Sequence, residues 1–161
     1  MSFRDFVLDA RAPALHHVGL TVSDLDRSLA FYRDVLELEL LEVLDVSGPE
    51  IGRSVGVAGA ELRIAFLRLA GLQLELLEYT APEQRVYERR NSDVGAAHVC
   101  FRVSDLDGAY RELSARGVGF VSEPFRIAEG RHAGRAIVYF RDPDEITLEL
   151  LEDANVPGAG G

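Results

Sequence analysis

Residues 17–26 read HVGLTVSDLD and residues 98–107 read HVCFRVSDLD, with seven identities in ten positions. The two segments lie 81 residues apart (17 to 98), about half of the 161-residue chain. A second pair follows in the same order, Glu75-Leu-Leu-Glu78 and Glu149-Leu-Leu-Glu152. One such match arises easily by chance, but two in one order mark a duplicated module. Two copies are too few for an open solenoid, which buries its faces only with three or more units, so the copies are expected to pack on each other.

The periodicity within each copy predicts its elements. Val18, Leu20 and Val22 alternate with His17, Gly19 and Thr21, the pattern of a half-buried strand over 17–23. Ser23-Asp-Leu-Asp26 offers a helix start, with a serine three residues before an acid. Leu25, Leu29, Tyr32 and Leu36 continue at helical spacing. Strands are predicted over 38–46, 62–69 and 72–79, with a loop over 47–60 that holds four glycines and a proline. The second copy repeats the order: a strand over 97–103, a start signal at Ser104-Asp-Leu-Asp107, a helix on Leu106, Tyr110 and Leu113, then short strands near 119–122, 135–140 and 146–152. Residues 14–80 and 96–152 are thus two strand-helix-three-strand modules, joined by a charged linker over 81–95 and followed by a Gly/Pro-rich flexible tail over 153–161.

Charge and composition narrow the partners. With 17 basic and 27 acidic residues the net charge is −10, which argues against a nucleic-acid backbone or an anionic membrane surface, since both need a basic footprint. An apolar content of 47% fits a folded core. The richest apolar stretch, 62–79, carries Arg63, Arg68, Glu75 and Glu78, so no membrane span is expected. Cys100 is the single cysteine and can form no internal disulfide, and residues 1–13 carry charges where a signal peptide needs an apolar run; a cytoplasmic location is the expectation.

Strand parity selects the chemistry. His17 and His98 open equivalent strands on the face opposite the apolar residues Val18/Leu20/Val22 and Val99/Phe101/Val103. Glu75 and Glu149 stand at equivalent points of the fourth strands, between Leu74/Leu76 and Leu148/Leu150, and by the same alternation leave the helix-packed face. Two imidazoles and two carboxylates are therefore expected on one inner surface. A carboxylate in an apolar strand is costly unless its charge is compensated, and one divalent cation would compensate both. The plainer alternative is two hydrogen-bonded core histidines and two glutamates at a solvent-facing sheet edge. Arg102 and Cys100 share the parity of His98, which makes Arg102 a candidate for binding an anionic substrate group and Cys100 a cavity-lining residue. His16 has the opposite parity and is given no metal role. Residues 128–134 could close over a substrate, and the side taken by Tyr139 is not fixed by alternation alone.

The segments LHHVGLTVSDLDRSLAFYRDVL, AAHVCFRVSDLDGAYREL and YFRDPDEITLELLE resemble the vicinal oxygen chelate superfamily, which includes glyoxalase I, methylmalonyl-CoA epimerase, extradiol dioxygenases and bleomycin- or fosfomycin-resistance proteins. The resemblance spans about residues 14–152. It implies an α+β fold of two tandem βαβββ modules whose sheets form a cupped, incomplete β-barrel around one divalent ion. By position, the implied ligands are His17, Glu75, His98 and Glu149, a nitrogen and oxygen set suited to Zn, Ni, Co, Fe or Mn. The implied reaction is proton transfer next to a carbonyl through a metal-stabilised enediolate, as a lyase or isomerase of the glyoxalase I or methylmalonyl-CoA epimerase kind. In glyoxalase I-like members a metal-bound glutamate can detach and act as the base, a role open to Glu75 or Glu149. Glu75 makes the ligand set glyoxalase-like, whereas the run ELRIAFLRLAGLQLELLEY is epimerase-like. An extradiol-type dioxygenase, using only His17, His98 and Glu149, and a non-enzymatic drug-binding protein are the alternatives. The substrate implied is a small molecule, and the resemblance implies a homodimer. Two positions depart from the family: Gly is usual where Glu37 and Glu145 stand, and if the backbone there needs positive φ, a glutamate costs ~1 kcal/mol or more.

Overall fold

The computed structural model describes residues 15–69, 71–85 and 90–153. The chain divides into two compact units, one ending at Arg85 and the other beginning at residue 86. Unit 1 holds β1 (His17–Val22), α1 (Leu25–Leu29), β2 (Leu40–Val46), α2 (Pro49–Val55), β3 (Glu61–Leu69) and β4 (Leu72–Ala81). Unit 2 holds β5 (His98–Val103), α3 (Leu106–Ala115), β6 (Phe125–Arg126), β7 (Ala136–Arg141) and β8 (Thr147–Glu152). Each unit forms one open four-stranded sheet, in the orders β1-β4-β3-β2 and β5-β8-β7-β6. The first strand of each runs parallel to the last, and the remaining pairs are antiparallel. This is the α+β arrangement of two βαβββ modules that the repeat predicts. Among the described residues no helix is long and apolar enough to cross a membrane.

The parity of the opening strands holds. Along β1 and β5 the histidine face is exposed while Val18, Leu20, Val22, Val99, Phe101 and Val103 are covered to varying degrees. Helices cover that second face. Leu25, Leu29 and Tyr32 are buried with Leu62, Ala65, Leu67, Leu74 and Leu76 in unit 1. Leu106 is buried in unit 2, as are Val138, Phe140, Leu148 and Leu150. Such burial removes roughly 1.5–3 kcal/mol worth of apolar surface from water per large side chain.

The serine helix starts are corrected by one residue. Asp24 caps α1, its Oδ1 accepting from the Arg27 N–H at 2.9 Å, and Asp105 caps α3 by accepting from the Gly108 N–H at 2.8 Å. Both aspartates have the extended backbone that a cap requires. Ser23 instead accepts from the Arg27 guanidinium at 2.8 Å. The first helix also changes form: after Leu29 it continues as a π-helix over Ala30–Val35, closed by the Leu36 N–H donating to the Phe31 carbonyl at 3.0 Å.

The loop expected over 47–60 contains α2. Its glycines and proline punctuate a helix: Pro49 sits in the first turn, where its missing N–H costs nothing, and Gly56 ends the helix in the left-handed region at φ +72°. Gly52 lies inside because a Cβ there would meet the Val57 carbonyl oxygen at 2.9 Å. Near 119–122 only the bridge between Phe120 and Phe140 forms, and the short edge strand falls later, at β6. Asp153 pairs with Arg135 at 3.2 Å; the rest of the tail expected over 153–161, and residues 86–89 of the linker, lie outside the described residues.

Glu37 and Glu145 do adopt positive φ, +60° and +62°. At Glu145 the turn imposes this: buried Asp142 accepts from the N–H groups of Asp144 and Ile146 at 2.9 and 2.8 Å, and Arg141 donates to the Glu145 carbonyl at 3.1 Å. The left-handed region costs a non-glycine residue roughly 1–2 kcal/mol, and glycine gives back about 0.4–1 kcal/mol through unfolded-chain entropy. Glu145→Gly is therefore expected to raise stability by roughly 0.5–1 kcal/mol, read as a higher urea midpoint at unchanged slope. A lowered midpoint would contradict a strained turn.

Candidate metal and proton-transfer site

In unit 1 the register sets Gly19 of β1 and Phe66 of β3 on either side of Glu75. Toward the start of β1, His17 Nδ1 lies 3.3 Å from Glu75 Oε1. The Glu75 side chain is 14% exposed and that of His17 45%. His16 joins them: its Nδ1 is 2.9 Å from His17 Nδ1, with the rings edge to face at 5.2 Å. Alternation did not find His16 because it precedes β1, and parity governs only residues inside a strand.

In unit 2 the equivalent register sets Cys100 and Tyr139 on either side of Glu149. His98 Nε2 lies 3.0 Å from Glu149 Oε2, and the carboxylate side chain is 9% exposed. Tyr139, unplaced by the sequence, packs edge to face on His98 at 5.5 Å. Loss of solvent and the adjacent Glu149 charge, in that order, push the Cys100 thiol up to about 11. The same two causes raise the Tyr139 phenol above its ordinary value. Both groups stay protonated at neutral pH beside a buried carboxylate. Arg102 lies on the exposed face of β5, two residues beyond Cys100. His132, in the segment read as a possible lid, is 2.7 Å from the Arg135 guanidinium.

A cavity adjoins His16 in unit 1 and another adjoins His98 in unit 2. One of about 330 Å³ is lined by Leu15, His16, Leu41, Arg68 and Gln73, among others. The other, of about 230 Å³, is lined by Asn91, Ala96, Ala97, His98, Tyr139 and Thr147. Its polar wall is ordered, for Thr147 donates to Asn91 Oδ1 at 2.7 Å and Arg141 donates to Thr147 Oγ1.

The two ELLE segments divide their work. Their first glutamates meet histidines, while the second ones serve the helix side: Glu78 pairs with Arg63 at 3.2 Å, and Glu152 accepts from the Leu106 N–H at 2.8 Å. The nitrogen and carboxylate donors of each His–Glu pair match what a borderline divalent cation takes, and a cation would offset the cost of holding Glu75 and Glu149 out of water.

A curated relative, 2-epi-5-epi-valiolone epimerase from an Actinomyces species, is 43% identical over 145 residues, covering 87% of this chain and 79% of its own. The mitochondrial methylmalonyl-CoA epimerase of Mus musculus is 29% identical over 132 residues, covering 81% of this chain and 66% of its own. Lactoylglutathione lyases are further relatives, such as that of Schizosaccharomyces pombe, of which the alignment spans 47%. Among solved structures, a glyoxalase family protein from Bacillus cereus superposes with a TM-score of 0.74 at 23% identity, covering 88% of this chain and 94% of that one. The model of the Glyoxalase/Bleomycin resistance protein/Dioxygenase superfamily matches residues 14–150, and the chain belongs to that superfamily.

Proposed function

We propose that the chain is a divalent-metal-dependent epimerase that inverts a carbon next to a carbonyl, and that its substrate is a small polyhydroxylated cyclic ketone of the 2-epi-5-epi-valiolone kind. The observation that carries this reading is the 43% identity to an epimerase of that compound across 87% of the chain. The hydrogen-bonding wall of Asn91, Thr147 and Tyr139 beside His98 supports it, since such groups both donate to and accept from hydroxyls.

His17, Glu75, His98 and Glu149 are the proposed ligands. A divalent ion bound there supplies Lewis-acid stabilisation of the oxygen that becomes negative when the neighbouring carbon loses its proton. The proton work belongs to the carboxylates. One glutamate takes the proton from the carbon, becoming neutral as the electron pair moves onto the carbonyl oxygen. A protonated acid returns a proton to the opposite side of that carbon as the carbonyl re-forms, so no oxidant or reductant is consumed. Tyr139 stays protonated and orients Glu149 or a substrate hydroxyl. Arg102 is proposed to bind the substrate edge. A glyoxalase-type lyase is the second reading, supported by the glutamate at residue 75, which makes the ligand set resemble that of glyoxalase I, and by the lyase relatives.

The test is incubation of the metal-loaded protein with 2-epi-5-epi-valiolone in deuterated water, followed by NMR. Formation of the epimer with one deuterium at the inverted carbon is expected. Absence of exchange with that ketone, together with turnover of the methylglyoxal–glutathione adduct, would replace the epimerase reading by the lyase one.

A further inference from the structure

We infer that His16 is a third metal ligand, so that unit 1 alone holds a divalent ion through His16, His17 and Glu75. The inference rests on the proposed ligand roles of His17 and Glu75 and adds a donor to them.

His17 Nδ1 faces two partners, His16 Nδ1 at 2.9 Å and Glu75 Oε1 at 3.3 Å. A ring nitrogen has one proton to give or one lone pair to offer, so without a cation a single N–H would have to be shared between the two contacts, whereas a cation among the three groups takes a lone pair from each.

The spacing agrees. Donors held at roughly 2.0–2.2 Å from zinc stand roughly 2.8–3.6 Å apart for neighbouring positions. The two direct contacts fall in that range, and the three ligand atoms all lie within 4.8 Å of one another. The backbone of His16 is held at the edge of β1, where its carbonyl accepts from the Gln73 N–H at 3.2 Å as part of the His17–Gln73 pair.

Unit 2 is the internal control. Residue 97, the repeat counterpart of residue 16, is alanine. There the His98–Glu149 contact at 3.0 Å brings one nitrogen and one carboxylate together, without a second histidine beside them. The duplicated modules therefore differ in metal-holding capacity, with the larger share in unit 1. Two imidazoles and a carboxylate favour cobalt, nickel or zinc over magnesium or calcium.

The experiment is titration of the full-length apoprotein with cobalt(II) alone, read by visible absorption and calorimetry, for wild type, H98A, H17A, H16A and the H98A/H16A double variant. Wild type is expected to bind, H17A to bind at least tenfold more weakly, and H98A to keep a measurable site. Adding H16A to H98A is expected to weaken binding at least a further tenfold and to change the cobalt spectrum. His16 is exposed, so H16A is expected to fold, and far-ultraviolet circular dichroism checks each variant. Equal affinity and spectrum of H98A and H98A/H16A would overturn the role of His16 while leaving the His17 and Glu75 assignment standing. A wild type that binds no cobalt, or an H17A variant equal to it, would instead overturn the metal reading itself.

Discussion

Glu149→Gln is expected to lower the rate of epimerisation by about 10²–10⁴-fold, the range associated with loss of a positioned acid or base. Glutamine keeps the shape, so packing between Leu148 and Leu150 is retained, but it can neither take nor return a proton. Residue 149 is 6% exposed, with the protonated Tyr139 and Cys100 on neighbouring strands and His98 at 3.0 Å. Glu75→Gln is expected to have an effect of the same order. The two variants separate ligand from proton carrier when isotope exchange is followed alongside net inversion. If the acids share the work, each variant stops inversion yet still exchanges the proton of one epimer with deuterated water, a different epimer in each case. Cobalt binding by each variant shows whether a lost rate follows from a lost ion. Turnover of E149Q at the wild-type rate would remove Glu149 from the chemistry.

Phe140→Ala is expected to cost about 3–5 kcal/mol of stability, the range for truncating a buried aromatic ring. Phe140 is fully buried on β7, its ring 5.5 Å from that of Phe120, which in turn lies 4.6 Å from Tyr110 on α3. This stack ties α3 and the 120 segment to the sheet. Removing the ring at its inner end leaves a cavity that the strand cannot close, because β7 is paired on both sides, to β6 and β8. Against a typical stability of about 5–15 kcal/mol the loss is large, and denaturant titration measures it directly. A cost below about 1 kcal/mol would mean that the site collapses around the smaller residue.

The duplicated strand and helix segments were legible because alternation and helical spacing are local properties, and both units obey them. What stayed illegible depended on geometry that composition hides. Gly48-Pro49 and Gly56 read as loop residues, yet they are the start and stop of α2. Ser23 and Ser104 have the chemistry of a cap, but Asp24 and Asp105, one residue on, have the backbone for it. Parity gave His17, Glu75, His98 and Glu149 a common face, but not their partners: the parallel register of β1 with β4 and of β5 with β8 is what brings His17 to Glu75 and His98 to Glu149. His16 escaped because the strand had not begun, and Tyr139 because its position depends on which residue of β7 opposes Glu149. Glu37 and Glu145 are the reverse case: a residue type out of place signalled the positive φ found at both.

Around the two acids, the register partners Gly19 and Phe66 stand in unit 1 where Cys100 and Tyr139 stand in unit 2, and His16 stands where Ala97 does. A pair of identical subunits must serve every role with one set of side chains, since every substitution appears twice. Tandem fusion lifts that obligation. One copy is then free to gather donors while the other turns its equivalent positions to protic groups, so specialisation needs no new fold and no third module.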